Sequence, residues 1–263
     1  MARKKPSPSQ KILSRLITIT CIAVFIYASY NLGAILLDYY QNRKVLHELQ
    51  EIYYQDTTEV EQDEEQATPR EDTHTQIRAG FDQLLAQNPH VVGWITIEDT
   101  QIDYPILQAD DNEAYMTKNF YGHETRAGSI FLDYRNDITR SDPNYVIYGH
   151  RMKDGSMFQH LTKFLEQDFF ETHTTFTFDT LYDHYEAEIF AVYQTLTDFN
   201  YIQTNFASDE EFEHLIDEIQ SRSLYKTDVD VQPGDQILTL STCDYKLDAR
   251  DGRLVVHAKL SQP

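Results

Sequence analysis

Cysteine is nearly absent: the chain has 263 residues and two of them, Cys21 and Cys243. Cys21 falls inside a long uncharged run, so Cys243 is left without a partner and a disulfide framework is excluded. No CxxC pair and no HExxH pattern occurs, which argues against a zinc centre, and no Gly-rich phosphate loop is present. Acidic clusters such as Asp110-Asp111 and residues 61–65 do not follow EF-hand spacing and read as solvated. Neither a metal nor an organic cofactor is expected. Basic residues are also scarce, 22 Lys and Arg against 43 Asp and Glu, for a formal net charge of −21. That sign excludes nucleic acid as a partner. Solubility and repulsion from like-charged surfaces account for most of the charge. No internal repeat is evident.

Charge is missing altogether from residues 16–37, LITITCIAVFIYASYNLGAILL, a run of 22 positions. As a helix it would be roughly 33 Å long, against a hydrocarbon core of about 30 Å. A signal peptide is the rival reading, but its apolar core is usually about 7–15 residues and ends in a small-x-small cleavage site. This run is longer and lacks a persuasive site, which favours an uncleaved anchor. Arg3, Lys4, Lys5, Lys11 and Arg15 precede it, and all 43 acidic residues follow it. The heavier basic flank places residues 1–15 in the cytoplasm, 16–37 across the membrane and the remainder outside. Residues 38–55 read as a helical stalk with Val45, Leu46, Leu49 and Ile52 on one stripe. Residues 56–72, acidic and Gln-rich, read as a disordered spacer completing a stalk and linker over 38–72. The folded domain is expected over 73–263.

That domain opens with Ile77, Phe81, Leu84 and Leu85 at helical spacing, stopped by Asn88-Pro89. Strand signals then dominate: VVGWITI (91–97), QIDYPIL (101–107), GSIFLD (128–133), NYVIYGH (144–150), FTF (176–178), EAEIFAVYQTL (186–196), QILTLSTC (236–243) and RLVVHAKL (253–260). About eight short strands separated by turn residues fit a sandwich or a closed barrel. Two helices interrupt them. One carries Met157, Phe158, Leu161, Phe164 and Leu165. The other carries Phe212, Leu215, Ile216 and Ile219 and opens with a capping box, Ser208 with Glu211.

Cys243 sits where the strand QILTLSTC surfaces into a polar turn, and Arg253 opens the strand that returns from it. An unpaired Cys outside a cell is either a small buried hydrophobe or a reactive thiol. The polar neighbours Ser241, Thr242 and Asp244, with Arg253 close by, favour the reactive thiol. A thiol nucleophile needs a proton-exchange partner and a donor for the developing oxyanion. His150 ends an apolar strand, a boundary position like that of Cys243. His257 is its rival, lying on the neighbouring strand and on the same face as Arg253. The other six histidines between 90 and 214 occupy loops or helices and read as surface or core residues. Arg253 is suited by its fixed fork to oxyanion duty, yet an Arg in an acidic protein is as often simply ion-paired. Spacing alone does not decide.

TLSTC (239–243) followed by Arg253 in GRLVVHAKL resembles the signature of sortases, membrane-anchored cysteine transpeptidases of Gram-positive cell surfaces. NYVIYGHRM (144–152) with DGSMFQHL (154–161) is similar to the catalytic-His segment of class B. VGWITIEDTQIDYPILQADDNEAY (92–115) looks like the first strands of that branch. The helix over 208–222 is another class B trait. The resemblance runs over about 81–263 with three motifs in family order. It implies a mainly β fold, a sortase-type closed eight-stranded β-barrel with added helices at its N-terminus and ahead of the Cys strand. It also implies Cys243 as nucleophile, His150 as acid/base and Arg253 as oxyanion or substrate-positioning group, with His257 outside the triad. The substrate groove would be lined by Asn112, Thr197, Tyr201, Ile202 and Ser241.

The implied partners are the C-terminal sorting signal of a secreted protein and an amine acceptor, on a cell-wall precursor or a pilin. Class B members act on NPQTN-like signals or polymerise pilins, and the residues do not choose between them. The strongly acidic ectodomain is not a family trait. An ordinary thiol–imidazole couple lies roughly 2.7 kcal/mol below its thiolate–imidazolium form, so a slow enzyme is expected. Two other readings stand beside this one: a thiol-dependent peptidase with water as acceptor, and a tethered binding module whose Cys is inert.

Overall fold

The computed structural model describes residues 8–64 and 77–262. Within them the apolar runs form eight strands: β1 (Val91–Thr96), β2 (Asp103–Leu107), β3 (Ile130–Leu132), β4 (Asn144–Tyr148), β5 (Thr175–Thr180), β6 (His184–Leu196), β7 (Gln236–Cys243) and β8 (Gly252–Ser261). They close into a barrel in the order β1-β2-β3-β4-β7-β8-β6-β5. β2 with β3 and β4 with β7 pair in parallel, and the other neighbours are antiparallel. Closure decides between sandwich and barrel, and it leaves no free sheet edge.

The helices cover the barrel's outside. α4 (Asp209–Arg222) buries Phe212, Leu215, Ile216 and Ile219 in a cluster with Phe190 and Tyr193 of β6, Ile237 of β7 and Val255 of β8. Its start is locally encoded: the Ser208 side chain accepts from Glu211 N–H, and the Glu211 carboxylate reaches back to Ala207 N–H at 2.6 Å. The segment Phe158–Leu165 is a 3₁₀ helix, and a short helix, α3 (Gln167–Thr172), follows it. The tighter winding has a reason in the sequence. Phe158, Leu161 and Phe164 are spaced by three, so a three-residue turn puts all of them on one buried edge. At the front of the domain, α2 (Asp82–Gln87) is a single short helix that buries Leu84.

α1 runs from Pro8 to Glu64. Between Lys11 and Gln55 it is long and apolar enough to cross a membrane, and Ile22, Phe25 and Ile26 are exposed on it. The backbone is helical through residues expected to be spacer, while 65–72 lie outside the described residues. The stripe expected on a stalk packs against the barrel. Leu49 and Tyr53 are buried in a cluster with Phe81, Leu84, Val91 and Trp94, and Val45 and Ile52 join its edge. The Tyr53 ring lies flat on Trp94, centroids 4.2 Å apart, and its hydroxyl donates to Asp179 Oδ2 at 2.8 Å. Each such buried side chain contributes about 1.5–3 kcal/mol. Chain from Asn42 onward thus forms one compact unit with the barrel.

His257 is fully buried under α4, between Tyr193 Oη at 2.8 Å and Thr239 Oγ1 at 2.9 Å. Burial alone pushes its pKa down to about 3. The unfolded chain takes up this proton near the ordinary value of about 6.5, whereas the folded chain refuses it until far lower pH. Stability is therefore complete above about pH 6.5 and falls by about 1.4 kcal/mol for each pH unit on the way down towards 3. Urea melts of the His257→Gln variant should lose that much of the acid slope. An unchanged slope would show that His257 is not the group responsible.

Candidate active site

Cys243 is the last residue of β7, and Arg253, near the start of β8, is its cross-strand partner. On the other side of β7, the parallel ladder with β4 runs up to Tyr148 opposite Ser241. Gly149 N–H extends it by donating to the Ser241 carbonyl at 3.3 Å. Thr242 Oγ1 donates in turn to the Gly149 carbonyl at 2.7 Å. His150 thus leaves β4 beside Cys243, at the same end of the barrel. Three adjacent strands deliver the thiol, the imidazole and the guanidinium to one place, and all three residues are half-buried.

His150 Nε2 lies 2.8 Å from the Met116 carbonyl. A carbonyl only accepts, so Nε2 carries the hydrogen in this bond and Nδ1 is the nitrogen able to take up a proton. Met116 belongs to the long β2–β3 loop, which is pinned at Gly128. There φ is +58°, and an added Cβ would stand 2.6 Å from the carbonyl oxygens of both Tyr115 and Met116. Only glycine permits that approach, so Gly128 helps place the oxygen that orients His150.

Arg253 Nη1 donates to the carbonyls of Arg250 and Gly252, each at 2.9 Å. Among the described residues Nε and Nη2 make no hydrogen bond, so one edge of the fork can receive a substrate oxygen. Two tyrosines complete the surroundings. The Tyr245 hydroxyl lies near the Cys243 side chain; its pKa is raised by burial first and by the neighbouring thiol, with Arg253 pulling the other way. The Tyr201 hydroxyl is 3.0 Å from Ser241 Oγ, and burial raises its pKa too.

The residues that follow the His and the Cys also meet. Arg151 Nη1 donates to Asp244 Oδ1 at 3.0 Å, and both side chains are largely buried. Lys246 N–H donates to the same oxygen at 3.0 Å, and Gln194 Nε2 donates to Oδ2. Both oxygens of Asp244 are occupied in this way. The carboxylate holds the strand ends together and does not orient His150.

The residues expected in the groove are distributed around this end. Asn112 Nδ2 donates to Asp133 Oδ2 at 3.0 Å, and its Oδ1 accepts from Tyr134 N–H at 3.0 Å. Ile202 offers its carbonyl to Arg135 Nη2 at 2.9 Å. Ser241 and Tyr201 are buried and bonded to one another. Thr197 is exposed just past the end of β6. His257, left open as a rival base, lies in the core away from solvent with both ring nitrogens engaged. Met116, Asp133, Arg135, Arg151 and Tyr245 also stand at this end without being singled out by sequence pattern. For Arg151 a signal existed, since opposite charges directly follow His150 and Cys243.

A thiol at an open strand end, flanked by an imidazole and a partly free guanidinium, is equipped for acyl transfer through a thioester. Comparison with known proteins decides the lineage. The family model described as the sortase domain matches residues 95–261. The chain belongs to the sortase family. Sortase B of Listeria monocytogenes is 40% identical over 253 residues, covering 95% of this chain and 98% of that one. Sortase B of Staphylococcus aureus is 38% identical over 184 residues, 70% of this chain and 75% of that one.

Solved sortases agree. Bacillus anthracis sortase B in complex with AAEK1 superposes with a TM-score of 0.74 at 48% identity, covering 87% of this chain and all of that one. The Staphylococcus aureus sortase B–substrate complex gives 0.75 at 33% identity, covering 86% and 99%. The sortase is thus a class B cysteine transpeptidase on a closed eight-stranded barrel.

Proposed function

We propose that this sortase cleaves a C-terminal sorting signal after Thr and transfers the acyl group to an amine outside the membrane. The juxtaposition of Cys243 with Arg253 across β7–β8, and with His150 across β4–β7, carries this reading. The Cys243 thiolate attacks the Thr carbonyl carbon, and Arg253 receives the oxygen of the tetrahedral intermediate. The Thr–X bond breaks, and the leaving amine takes a proton from the His150 imidazolium at Nδ1. An incoming amine then attacks the thioester, gives its proton back to His150 and releases the thiolate. Asn112, Thr197, Tyr201, Ile202 and Ser241 line the peptide groove. Residues 1–15 lie in the cytoplasm, 16–37 span the membrane once, and the catalytic barrel, with the stretch from Asn42 packed on it, faces outward. The amine belongs to a cell-wall precursor or a pilin lysine.

Mass spectrometry of the purified domain with NPQTN-like and LPxTG-like peptides tests this directly. Without an amine, a thioacyl adduct on Cys243 should accumulate. With triglycine or a lysine-bearing peptide added, the product should shift to the conjugate. Hydrolysis product alone, whatever amine is supplied, would make the protein a thiol peptidase instead.

A further inference from the structure

Asp133 lies just past β3 and is fully buried, yet it is charged. Burial pushes its pKa up, but hydrogen bonds from Arg135, Tyr148 and Asn112 together outweigh that and hold it below the usual carboxylate range. Arg135 grips it with both arms of the fork, Nε to Oδ1 and Nη2 to Oδ2, each at 2.8 Å. Arg135 N–H adds a bond to Oδ1 at 3.0 Å, and Tyr148 Oη donates to Oδ2 at 2.8 Å. A buried carboxylate with this many donors is expensive to build and rigid once built.

What it holds is informative. On one side stands Asn112, whose amide is fixed by Asp133 and by Tyr134 N–H. On the other stands the loop after β6, tied down where Arg135 Nη2 reaches the Ile202 carbonyl. Tyr201, in the same loop, is joined to Ser241 of the Cys strand. The loop carrying Asn112 and the loop carrying Tyr201 and Ile202 come from distant parts of the chain and share no strand ladder. The Asp133–Arg135 pair is the bridge between them. Tyr148 ties that bridge to β4, two residues before His150.

We propose that the Asp133–Arg135 pair is the positioning element of the peptide groove, setting the spacing of its walls for the sorting-signal peptide. The inference rests on the groove assignment made above. Neither residue touches the reacting atoms, so the pair acts on peptide affinity and leaves the reactivity of the thiol alone. Lysine at position 135 can keep a charge beside Asp133 but cannot copy a fork that grips two oxygens and still reaches the Ile202 carbonyl. The Ile202 carbonyl then loses its donor and this wall can shift locally, although Asn144 Nδ2 still holds the Gln203 carbonyl at 2.9 Å, while Asp133 keeps a cationic partner.

The test measures binding without turnover. The Cys243→Ala domain is titrated with the NPQTN peptide, with and without Arg135→Lys, and thermal melts confirm that both are folded. Arg135→Lys should weaken peptide binding by about tenfold, the effect of losing one good hydrogen bond to a charged group. In the Cys243-containing enzyme it should raise KM with little change in kcat, and alkylation of Cys243 by iodoacetamide should proceed at the parent rate. Asp133→Asn combined with Arg135→Gln serves as a second variant that leaves no charge unpaired, and it should bind as weakly. Equal affinity in folded parent and variants overturns the inference alone. If neither the NPQTN peptide nor an LPxTG peptide binds the parent, the groove assignment fails and the inference falls with it.

Discussion

The Cys243→Ala variant is expected to fold as the parent does and to form no thioacyl adduct, with peptide cleavage reduced to background. The structural cost is small, because Cys243 is half-buried at a strand end and its sulfur meets the exposed Tyr245. The chemical loss is total for a reason visible around it. Two hydroxyl residues directly precede the thiol in sequence, and neither can replace it. Ser241 is buried and bonded to Tyr201, and Thr242 Oγ1 is committed to the Gly149 carbonyl at 2.7 Å. Alcohols are in any case far weaker nucleophiles at neutral pH without an adjacent base. Intact-mass spectra after incubation with peptide, alongside circular dichroism for the fold, check both halves. Parent-level cleavage by the alanine variant would remove the thiol from the reaction.

Asp244→Ala is expected to give the largest loss of stability, about 3–5 kcal/mol, because it strands the Arg151 guanidinium in a nearly dry site. Gln194 and the Lys246 amide lose their acceptor in the same step. Removing both charges together should rescue the fold. Arg151→Gln combined with Asp244→Asn removes both charges, keeps polar groups in both places and should recover most of the loss. Urea unfolding of Arg151→Gln, of Asp244→Asn and of the double variant gives the coupling energy. Additive effects, with no recovery in the double variant, would show that the pair does not act as a unit.

The eight strands were legible because each is a short apolar run rich in β-branched and aromatic residues, bounded by turn residues, and most such residues proved to be core. Barrel closure was not legible from pattern, since the β4–β7 and β1–β5 pairings join segments far apart in sequence. The stripe on α1 shows a different limit. Periodicity identifies an apolar face at Val45, Leu49 and Ile52, but it does not say whether that face meets the protein's own barrel. At the active end, Cys243, His150 and Arg253 stood out as reactive types at strand boundaries. The ion pairs that brace them did not. An Asp such as Asp133 or Asp244, in a chain with 43 acidic residues, looks solvated until its donors are seen.

The strand order has a further consequence. β7 and β8 fill the gap between β4 and β6. A chain cut ahead of Gln236 would therefore keep six strands but expose two unsatisfied borders, along β4 and β6, each able to recruit a strand from another molecule. The segment that brings Cys243 also seals the sheet, so an incomplete copy lacks the proposed nucleophile and is prone to aggregate.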